Sequence, residues 1–248
     1  IQYNKHTKTE SILLSGIPVL SVYSGTQDIL WVGTASQGIY RILPPQNYFN
    51  TFTSNNIPEL GNYAVRAIYK DAENKLWIGT KGGGVISITY LGATLQQARK
   101  FTTDDGLINN SVFSLAQGPN QDFWIGTDNK GLNYYSFQEK KIKSLKSNRI
   151  FNIRQICSVY ALLQADDSTL WVGTSGNGLF KMTIFRTPKG EYEIKNYKHY
   201  KYNSQSNNSI NNNVIYSLVI EGDSILWIAT RGGGINRMNI KREYFTAY

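Results

Sequence analysis

The sequence predicts an all-β fold built from repeated four-stranded sheets, and three observations support this prediction. An apolar residue followed by Trp-(Val/Ile)-(Gly/Ala)-Thr occurs five times, each time with Gly seven residues after the Trp. Successive Trp residues lie 46, 47, 47 and 56 positions apart, which suits a propeller blade of roughly 40 to 50 residues. Between them, β-branched and aromatic residues alternate with small or polar ones. We therefore predict a β-propeller with five blades in this chain, centred on Trp31, Trp77, Trp124, Trp171 and Trp227.

The repeat around Trp124 shows the strand order expected in every blade. Its innermost strand is predicted over Ser111–Gln117 and its second over Phe123–Thr127, with a turn of Gly, Pro, Asn and Gln between them. A third strand is predicted over Leu132–Phe137 and a fourth around Lys141–Leu145. Each blade is therefore expected to run from the axis outwards in chain order.

The repeated residues have packing explanations. Each Trp is expected to fill the space between adjacent sheets, burying about 150 to 250 Å². The Gly two residues after it marks a point where a side chain would meet the next blade. The Gly of the second turn supplies a positive φ in a hairpin. Function is therefore to be sought where the copies differ.

A small residue ten positions before the Trp is expected to let neighbouring blades approach near the axis. In four repeats this residue is Ser21, Ala67, Ser114 or Ser217. In the fourth repeat we assign Ser158, thirteen positions before its Trp, and so predict a three-residue insertion in the first hairpin of that blade.

The same repeat indicates a family. Asn-Ser-Val-Phe-Ser-Leu over 110–115, Asp-Phe-Trp-Ile-Gly-Thr over 122–127 and Asp-Gly-Leu over 105–107 resemble the two-component regulator propeller repeat. That repeat is typical of the periplasmic sensor regions of hybrid two-component systems in Bacteroides-type bacteria. The resemblance implies seven-bladed propellers, often two in tandem, followed by a β-sandwich, a membrane span and a histidine kinase.

Because the repeats extend along the whole chain, we predict a single propeller segment over 1–248. Residues 1–16 are expected to form the outer strand of a preceding blade and a linker. If the ring closed at five blades, this strand would duplicate the outer strand expected over 244–248. We therefore favour five blades of a seven-bladed ring over a closed five-bladed ring. The chain begins with Ile1 and contains no run of eighteen apolar residues, so we expect a segment of a longer protein.

The interval between Trp171 and Trp227 is about ten residues longer than the others. We predict a long outer hairpin over 181–200, turning at 187–190. The tyrosines of this region are expected on its edge; they are Tyr192, Tyr197, Tyr200 and Tyr202. The hairpin could contact a second propeller or a partner protein, or have no function of its own.

The net charge of +9 predicts a surface that attracts polyanions. Lysine-rich outer strands that discourage edge pairing explain the same excess. Nucleic acid is not expected as a partner, because no recognition module for it is present.

Ligand chemistry is expected on the propeller face formed by the second-to-third-strand loops and the loops that lead into the inner strands. These loops contain amides, cations and aromatic rings, which suit the hydroxyls, anionic groups and C–H faces of a sugar. The same residues are also ordinary in turns. The candidate ligand-binding residues are Lys81, Arg231, Arg66, Arg154, Lys130, Asn110, Asn213, Tyr63 and Tyr216.

An enzyme is disfavoured for this segment. The two histidines, His6 and His199, lie far from the repeated motifs, so neither a metal site nor a histidine dyad is predicted and no cofactor is expected. The carboxylates mostly occupy hairpin turns at the opposite end of the blades, where Asp is a turn former.

The sequence hypothesis is a periplasmic sensing module that binds an oligosaccharide. The family resemblance implies an oligosaccharide as the ligand, and the positive net charge favours an acidic one. Neighbouring propeller and β-sandwich domains and a homodimer are the further partners that the resemblance implies. The alternative is a structural propeller that mediates dimer or protein contacts, with the ligand bound elsewhere.

Overall fold

The computed structural model describes residues 2–4, 9–11, 15–24, 30–34, 39–42, 52–91, 94–129, 131–146 and 148–248. The chain divides into two compact units, 1–51 and 52–248. Lys130, one of the predicted ligand-binding residues, lies outside the described residues, as does the side chain of Trp31. Within the described ranges, no helix is long and apolar enough to cross a membrane.

The first unit contains two small antiparallel sheets. Strand β1 (Gln2–Asn4) pairs with β2 (Thr9–Ser11). Strands β3 (Val19–Ser24), β4 (Leu30–Thr34) and β5 (Ile39–Ile42) form a three-stranded sheet in chain order. The strand expected at the amino terminus is present as β1, which lies in a two-stranded sheet with β2.

The second unit contains four four-stranded antiparallel sheets, each ordered as the chain runs. We number them blades 2 to 5. Blade 2 consists of β6 (Val65–Lys70), β7 (Leu76–Thr80), β8 (Val85–Leu91) and β9 (Thr94–Phe101). Blade 3 consists of β10 (Val112–Gln117), β11 (Phe123–Thr127), β12 (Leu132–Ser136) and β13 (Lys141–Ser144).

Blade 4 consists of β14 (Val159–Asp166), β15 (Thr169–Thr174), β16 (Leu179–Arg186) and β17 (Tyr192–Tyr200). Blade 5 consists of β18 (Ile215–Glu221), β19 (Ile225–Thr230), β20 (Ile235–Asn239) and β21 (Tyr244–Ala247). The first strands β6, β10, β14 and β18 lie side by side. The predicted strand order is confirmed, and the predicted bounds in blade 3 are correct to within one residue.

The repeated Trp residues separate neighbouring blades as predicted. Trp77 and Trp124 are each 1% exposed and Trp171 is fully buried. Trp77 lies 4.7 Å, between ring centroids, from both Phe123 and Tyr135 of the next blade. Each indole therefore fills the gap between its own sheet and the following one.

The corresponding face of blade 5 is less buried than that of blades 2 to 4. Trp227 is only half-buried, and the apolar side chains around it on the same face are exposed. They are Val219, Ile235, Tyr244 and Tyr248.

The glycine two residues after each Trp permits the close approach of sheets. A Cβ added to Gly79 would lie 2.8 Å from Val112 of blade 3, and one added to Gly173 would lie 2.6 Å from Ile215 of blade 5. The second repeated glycine has a different constraint. Gly84 has a φ of 81°, and an added Cβ would collide with the carbonyl oxygen of Phe101. Both packing predictions are confirmed in the second unit.

The assignment of Ser158 in blade 4 is wrong. Ala67 pairs with Gly79 in blade 2, and the residue that pairs with Gly173 in blade 4 is Ala161, ten positions before Trp171. The first hairpin of blade 4 therefore has no three-residue insertion. Ser158 instead lies immediately before β14, which begins at Val159.

The long outer hairpin of blade 4 is present, since β16 and β17 pair over their whole lengths. The placement of Tyr192 on its edge is wrong, however. Tyr192 is 4% exposed and its ring centroid lies 4.9 Å from that of Trp124. Its hydroxyl donates to Oδ2 of Asp122 at 3.0 Å. The hairpin thus folds against blade 3, whereas Tyr202 beyond it is 51% exposed.

Trp77 and Trp227 form a matched pair for testing the packing. Each indole Nε1 donates at 2.8 Å to a carboxylate six residues earlier, Asp71 or Glu221, but only Trp77 is fully covered by a following sheet. We expect Trp77→Ala to lower the free energy of unfolding by about 3 to 5 kcal/mol, and Trp227→Ala to lower it by less than half as much. Urea denaturation followed by circular dichroism measures both; equal losses would contradict the packing role.

The turn glycine gives a second prediction. Gly84→Ala is expected to lower the free energy of unfolding by more than about 1 kcal/mol, because Ala disfavours the positive φ and its methyl group meets Phe101. Gly176 lies in the corresponding hairpin of blade 4 and has nothing within 4 Å of an added Cβ. Gly176→Ala is expected to leave stability unchanged or raise it by up to about 1 kcal/mol. Thermal denaturation of both variants checks this, and a stable Gly84→Ala protein would refute it.

Candidate ligand-binding site

The second-to-third-strand hairpins of blades 2 to 5 are fixed to their own inner strands by one repeated hydrogen bond. The residue four positions after each Trp donates its backbone N–H to the carbonyl just before the inner strand. The pairs are Lys81 to Ala64, Asp128 to Ser111 and Ser175 to Ser158, each at 2.9 Å, and Arg231 to Val214 at 3.0 Å. These bonds place four equivalent side chains on one rim, at the ends where the inner strands begin. We call this rim the mouth.

The repeated Thr stabilises these hairpins from inside. Its hydroxyl donates to the carbonyl of the turn glycine, at 2.9 Å from Thr80 to Gly84 and at 2.8 Å from Thr174 to Gly178. The hairpin backbone is thus held at both ends, so the variable residue next to the Thr projects from a rigid support.

The charges at the mouth differ from blade to blade. Lys81 and Arg231 are exposed, and neither forms an ion pair with any described residue. Asp128 is half-buried and accepts a hydrogen bond from the hydroxyl of Ser158. The equivalent Ser175 is uncharged. Asp128 was not among the candidate residues predicted from the sequence, although its position four residues after Trp124 gives the signal.

Tyr63 lies beside Lys81, on the glycine-rich hairpin of blade 2. A Cβ added to Gly83 would lie 2.7 Å from Cγ of Tyr63, so the glycine makes room for the ring. The ammonium group of Lys100 lies 4.7 Å from the ring centroid. Tyr63 is 43% exposed and presents an aromatic surface at the mouth.

Asn110 and Asn213 connect neighbouring blades. The side-chain oxygen of Asn110 accepts from the N–H of Thr103 at 2.9 Å, and its carbonyl accepts from Gly84. The side-chain oxygen of Asn213 accepts from Tyr202 at 2.8 Å, and its carbonyl accepts from Gly178. Each residue joins its own inner strand to the hairpin of the preceding blade. Both therefore have an architectural role at the mouth.

Comparison with known families identifies the repeat. Two segments, residues 59–82 and 106–129, match the model of the two-component regulator propeller. These two segments are repeats of the two-component regulator propeller type. The two segments span the repeats of Trp77 and Trp124 and include Tyr63, Lys81 and Asp128. The resemblance found in the sequence around Trp124 is confirmed.

Solved structures with similar folds include three bacterial surface or extracellular proteins. The extracellular domain of BT4673 from B. thetaiotaomicron is 18% identical, with a TM-score of 0.61 over 91% of this chain and 30% of that chain. The extracellular domain of the hybrid two-component system BT3049 from B. thetaiotaomicron is 20% identical, with a TM-score of 0.59 over 99% and 36%. PorZ, a surface component of the type-IX secretion system of Porphyromonas gingivalis, is 15% identical, with a TM-score of 0.55 over 93% and 34%.

These similarities show that the fold is that of a β-propeller. The chain spans about a third of the length of the proteins that it matches. No curated protein sequence matches it significantly.

Arg66, Arg154 and Tyr216 surround the mouth. Arg66 and Tyr216 are the second residues of inner strands β6 and β18, and both are exposed. Arg154 lies on the short 3₁₀ helix Ile153–Gln155 before β14 and is also exposed. The carbonyl of Gln155 accepts from the side chain of Asn177 at 2.7 Å, which ties this helix to the hairpin of blade 4.

Sequence reasoning missed two aromatic residues of the same region. Phe113 and Tyr160 occupy in blades 3 and 4 the position that Arg66 and Tyr216 occupy in blades 2 and 5. All four lie eleven residues before the Trp of their repeat. That constant offset was visible in the sequence, but it does not show where the side chains point.

The carboxylates of the first hairpins lie at the opposite end of the blades, as predicted. There they accept hydrogen bonds from neighbouring groups of the fold. Asp71 accepts from the backbone of Glu73 and Lys75 and from the indole of Trp77. Asp122 is buried and accepts from the backbone of Phe137 at 2.7 Å. No cluster of three or more potential metal ligands is found among the described residues.

His199 supports the blade 4 hairpin at the mouth. Its ring stacks on Phe180 with the centroids 3.9 Å apart, and its Nε2–H donates to the carbonyl of Asn177 at 2.6 Å. Burial lowers the pKa of His199 below its ordinary value, although the bond to Asn177 opposes this.

The lowered pKa predicts a pH dependence. A histidine that resists protonation in the folded state contributes stability above its unfolded pKa of about 6.5, and this contribution is lost as the pH falls, because the unfolded chain then binds the proton more readily. We expect the free energy of unfolding to decrease from about pH 7.5 to about pH 5.5, and less so in His199→Gln. Urea titrations at several pH values measure this. An identical decrease in both proteins would rule out His199 as the cause.

Proposed function

We propose that this propeller is a ligand-sensing extracytoplasmic module of a hybrid two-component sensor histidine kinase, and that it binds an oligosaccharide with acidic groups. One observation carries the proposal: Lys81 and Arg231, at the same position of two repeats, are exposed on one rim without an ion-pair partner among the described residues. Arg66 and Arg154 add positive charge to the same face.

The chemistry of the mouth favours an anionic and hydroxyl-rich ligand. Guanidinium and ammonium groups on a common rim repel one another unless solvent or an anion separates them, and carboxylate or sulfate groups form the stronger, charge-assisted hydrogen bonds with them. Asp128 and Ser175 offer acceptors and hydroxyls to neutral parts of the same ligand. A sugar acid combines both features, which a simple polyanion does not.

The cellular context of the proposal follows from the family and the similar structures. Those of B. thetaiotaomicron are extracellular domains, so we place this module in the periplasm. Because the blades are held rigidly, the occupied state must be read by neighbouring parts of the receptor. We assign that role to an adjacent propeller, a β-sandwich and a second copy in a homodimer, and we assign sensing rather than catalysis to this segment.

A structural scaffold is the second candidate, and one observation favours it. The Trp227 face of blade 5 exposes Val219, Ile235 and Tyr248 together, and exposed apolar patches commonly mark interaction surfaces. In this case the propeller would mediate contacts between proteins, and the ligand would bind elsewhere in the receptor.

Replacing the two mouth cations separates the candidates. A thermal-shift screen with neutral and acidic oligosaccharides, at low and moderate salt, first selects a ligand. We expect Lys81→Ala/Arg231→Ala to bind it at least about tenfold more weakly, a loss of about 1.4 kcal/mol in binding free energy, with unchanged melting temperature. Lys189→Ala, in the exposed turn of the outer hairpin, is the control for removing a surface cation away from this rim and is expected to bind normally. Unchanged affinity in the double variant would move the site away from this rim.

A further inference from the structure

Every repeat contains a β-bulge at the same place. The pairing of the first two strands shifts register near the start of the first strand, between Val65 and Ala67 in blade 2 and at the equivalent position in the other four repeats. The residue at the bulge leaves the hydrogen-bond ladder, and bulges re-aim such side chains. The bulged residues are Leu20, Arg66, Phe113, Tyr160 and Tyr216.

In the second unit the four bulged side chains form one continuous row. The guanidinium of Arg66 lies 5.4 Å from the ring centroid of Phe113. Phe113 meets Tyr160 edge-on at 5.3 Å, and Tyr160 stacks with Tyr216 at 5.9 Å and an interplanar angle of 16°. The row therefore crosses four inner strands, and we call it the bulge row.

Core packing does not account for the bulge row. Phe113 and Tyr160 are only half-buried, and Tyr216 is 50% exposed. Neither tyrosine hydroxyl has a hydrogen-bond partner among the described residues. The buried Tyr192, in contrast, donates to Asp122. The row thus presents, on the surface of the inner strands, aromatic faces and two hydroxyls that have no hydrogen-bond partner in the described part of the chain.

A groove of about 240 Å³ runs along the inner strands beside the row. The residues that line it include Ala67, Leu115, Leu162 and Leu218 together with Tyr160 and Tyr216 of the row. Cavities that enclose drug-sized ligands measure about 300 to 1,000 Å³. The groove is therefore suited to one ring and not to a whole oligosaccharide.

The bulge row and the mouth cations belong to one rim. Lys81 bonds to Ala64, two residues before Arg66, and Arg231 bonds to Val214, two residues before Tyr216. A ligand whose ring lies on the row can therefore direct its substituents towards the cations. Aromatic faces carry partial negative charge and attract the polarised C–H groups of a saturated ring, while the free hydroxyls match those of a sugar.

We propose that the bulge row is a stacking platform that receives the terminal pyranose ring of an acidic glycan, end-on. The exposed face of Tyr216 takes the apolar face of the sugar, the hydroxyl of Tyr160 bonds to a sugar hydroxyl, and Arg66 pairs with a carboxylate or sulfate. This inference rests on the proposed oligosaccharide-binding function and assigns the ring to one subsite.

A glycan array that carries neutral, amino and acidic oligosaccharides tests the platform with the whole chain. The variants are Tyr216→Ala, Tyr160→Ala and Tyr216→Phe, and the control is Tyr202→Ala, a tyrosine of similar exposure outside the row. For each captured glycan we expect Tyr216→Ala and Tyr160→Ala to weaken affinity about tenfold or more, as for a central aromatic contact. Tyr216→Phe keeps the ring and is expected to stay within about threefold of the unchanged protein, and Tyr202→Ala within about twofold. Equal melting temperatures show that the variants are folded.

The outcomes distinguish the two proposals. Capture of acidic glycans that the tyrosine variants lose supports the platform. Capture that Tyr216→Ala and Tyr160→Ala leave unchanged overturns the platform and leaves oligosaccharide binding intact. Capture of internal sugar units as strongly as terminal ones overturns end-on binding. If no glycan on the array is captured, both proposals are wrong.

Discussion

The structure depends on how closely two sheets can approach at the glycine that follows each Trp-(Val/Ile) pair. At Gly79 and Gly173 the first residue of the next inner strand occupies the space that a side chain would need. This contact fixes the separation of the sheets, and the separation is what allows one indole to be enclosed on both sides. Because adjacent interfaces repeat the same contact, one short motif sets the relation between successive blades.

The same constraint determines where the repeats are free to differ. The Trp, the two glycines and the Thr of each copy are used by packing or by hairpin hydrogen bonds, so a change there affects the frame. The positions four residues after and eleven residues before the Trp are held by the frame but contribute little to it. Lys81, Asp128 and Arg231 occupy the first position, and Arg66 and Tyr216 the second. Variation is thus concentrated on one rim, supported by rigid strands.

The sequence alone was sufficient for the fold, because the repeat period and the packing residues recur in phase. It was insufficient where register decides the outcome. Ser158 was preferred to Ala161 because both are small, and only strand pairing shows which one faces Gly173. Tyr192 resembled an edge residue until its contact with Trp124, 68 positions away, was known. Phe113 and Tyr160 were missed for a related reason, since their constant offset from the Trp does not show where a bulged side chain points.

The two ends of the blades use polar residues in opposite ways, and this difference locates function. At the end of the first hairpins, Asp71 and Asp122 accept several hydrogen bonds each and leave little capacity for a ligand. At the mouth, the amide oxygens of Asn110 and Asn213 hold the backbone, while the neighbouring cations and phenols remain open to solvent. A site needs both properties, because fixed supports reduce the entropy lost on binding and unpaired groups supply the contacts. Only the mouth combines them in the part of the chain that the structure describes.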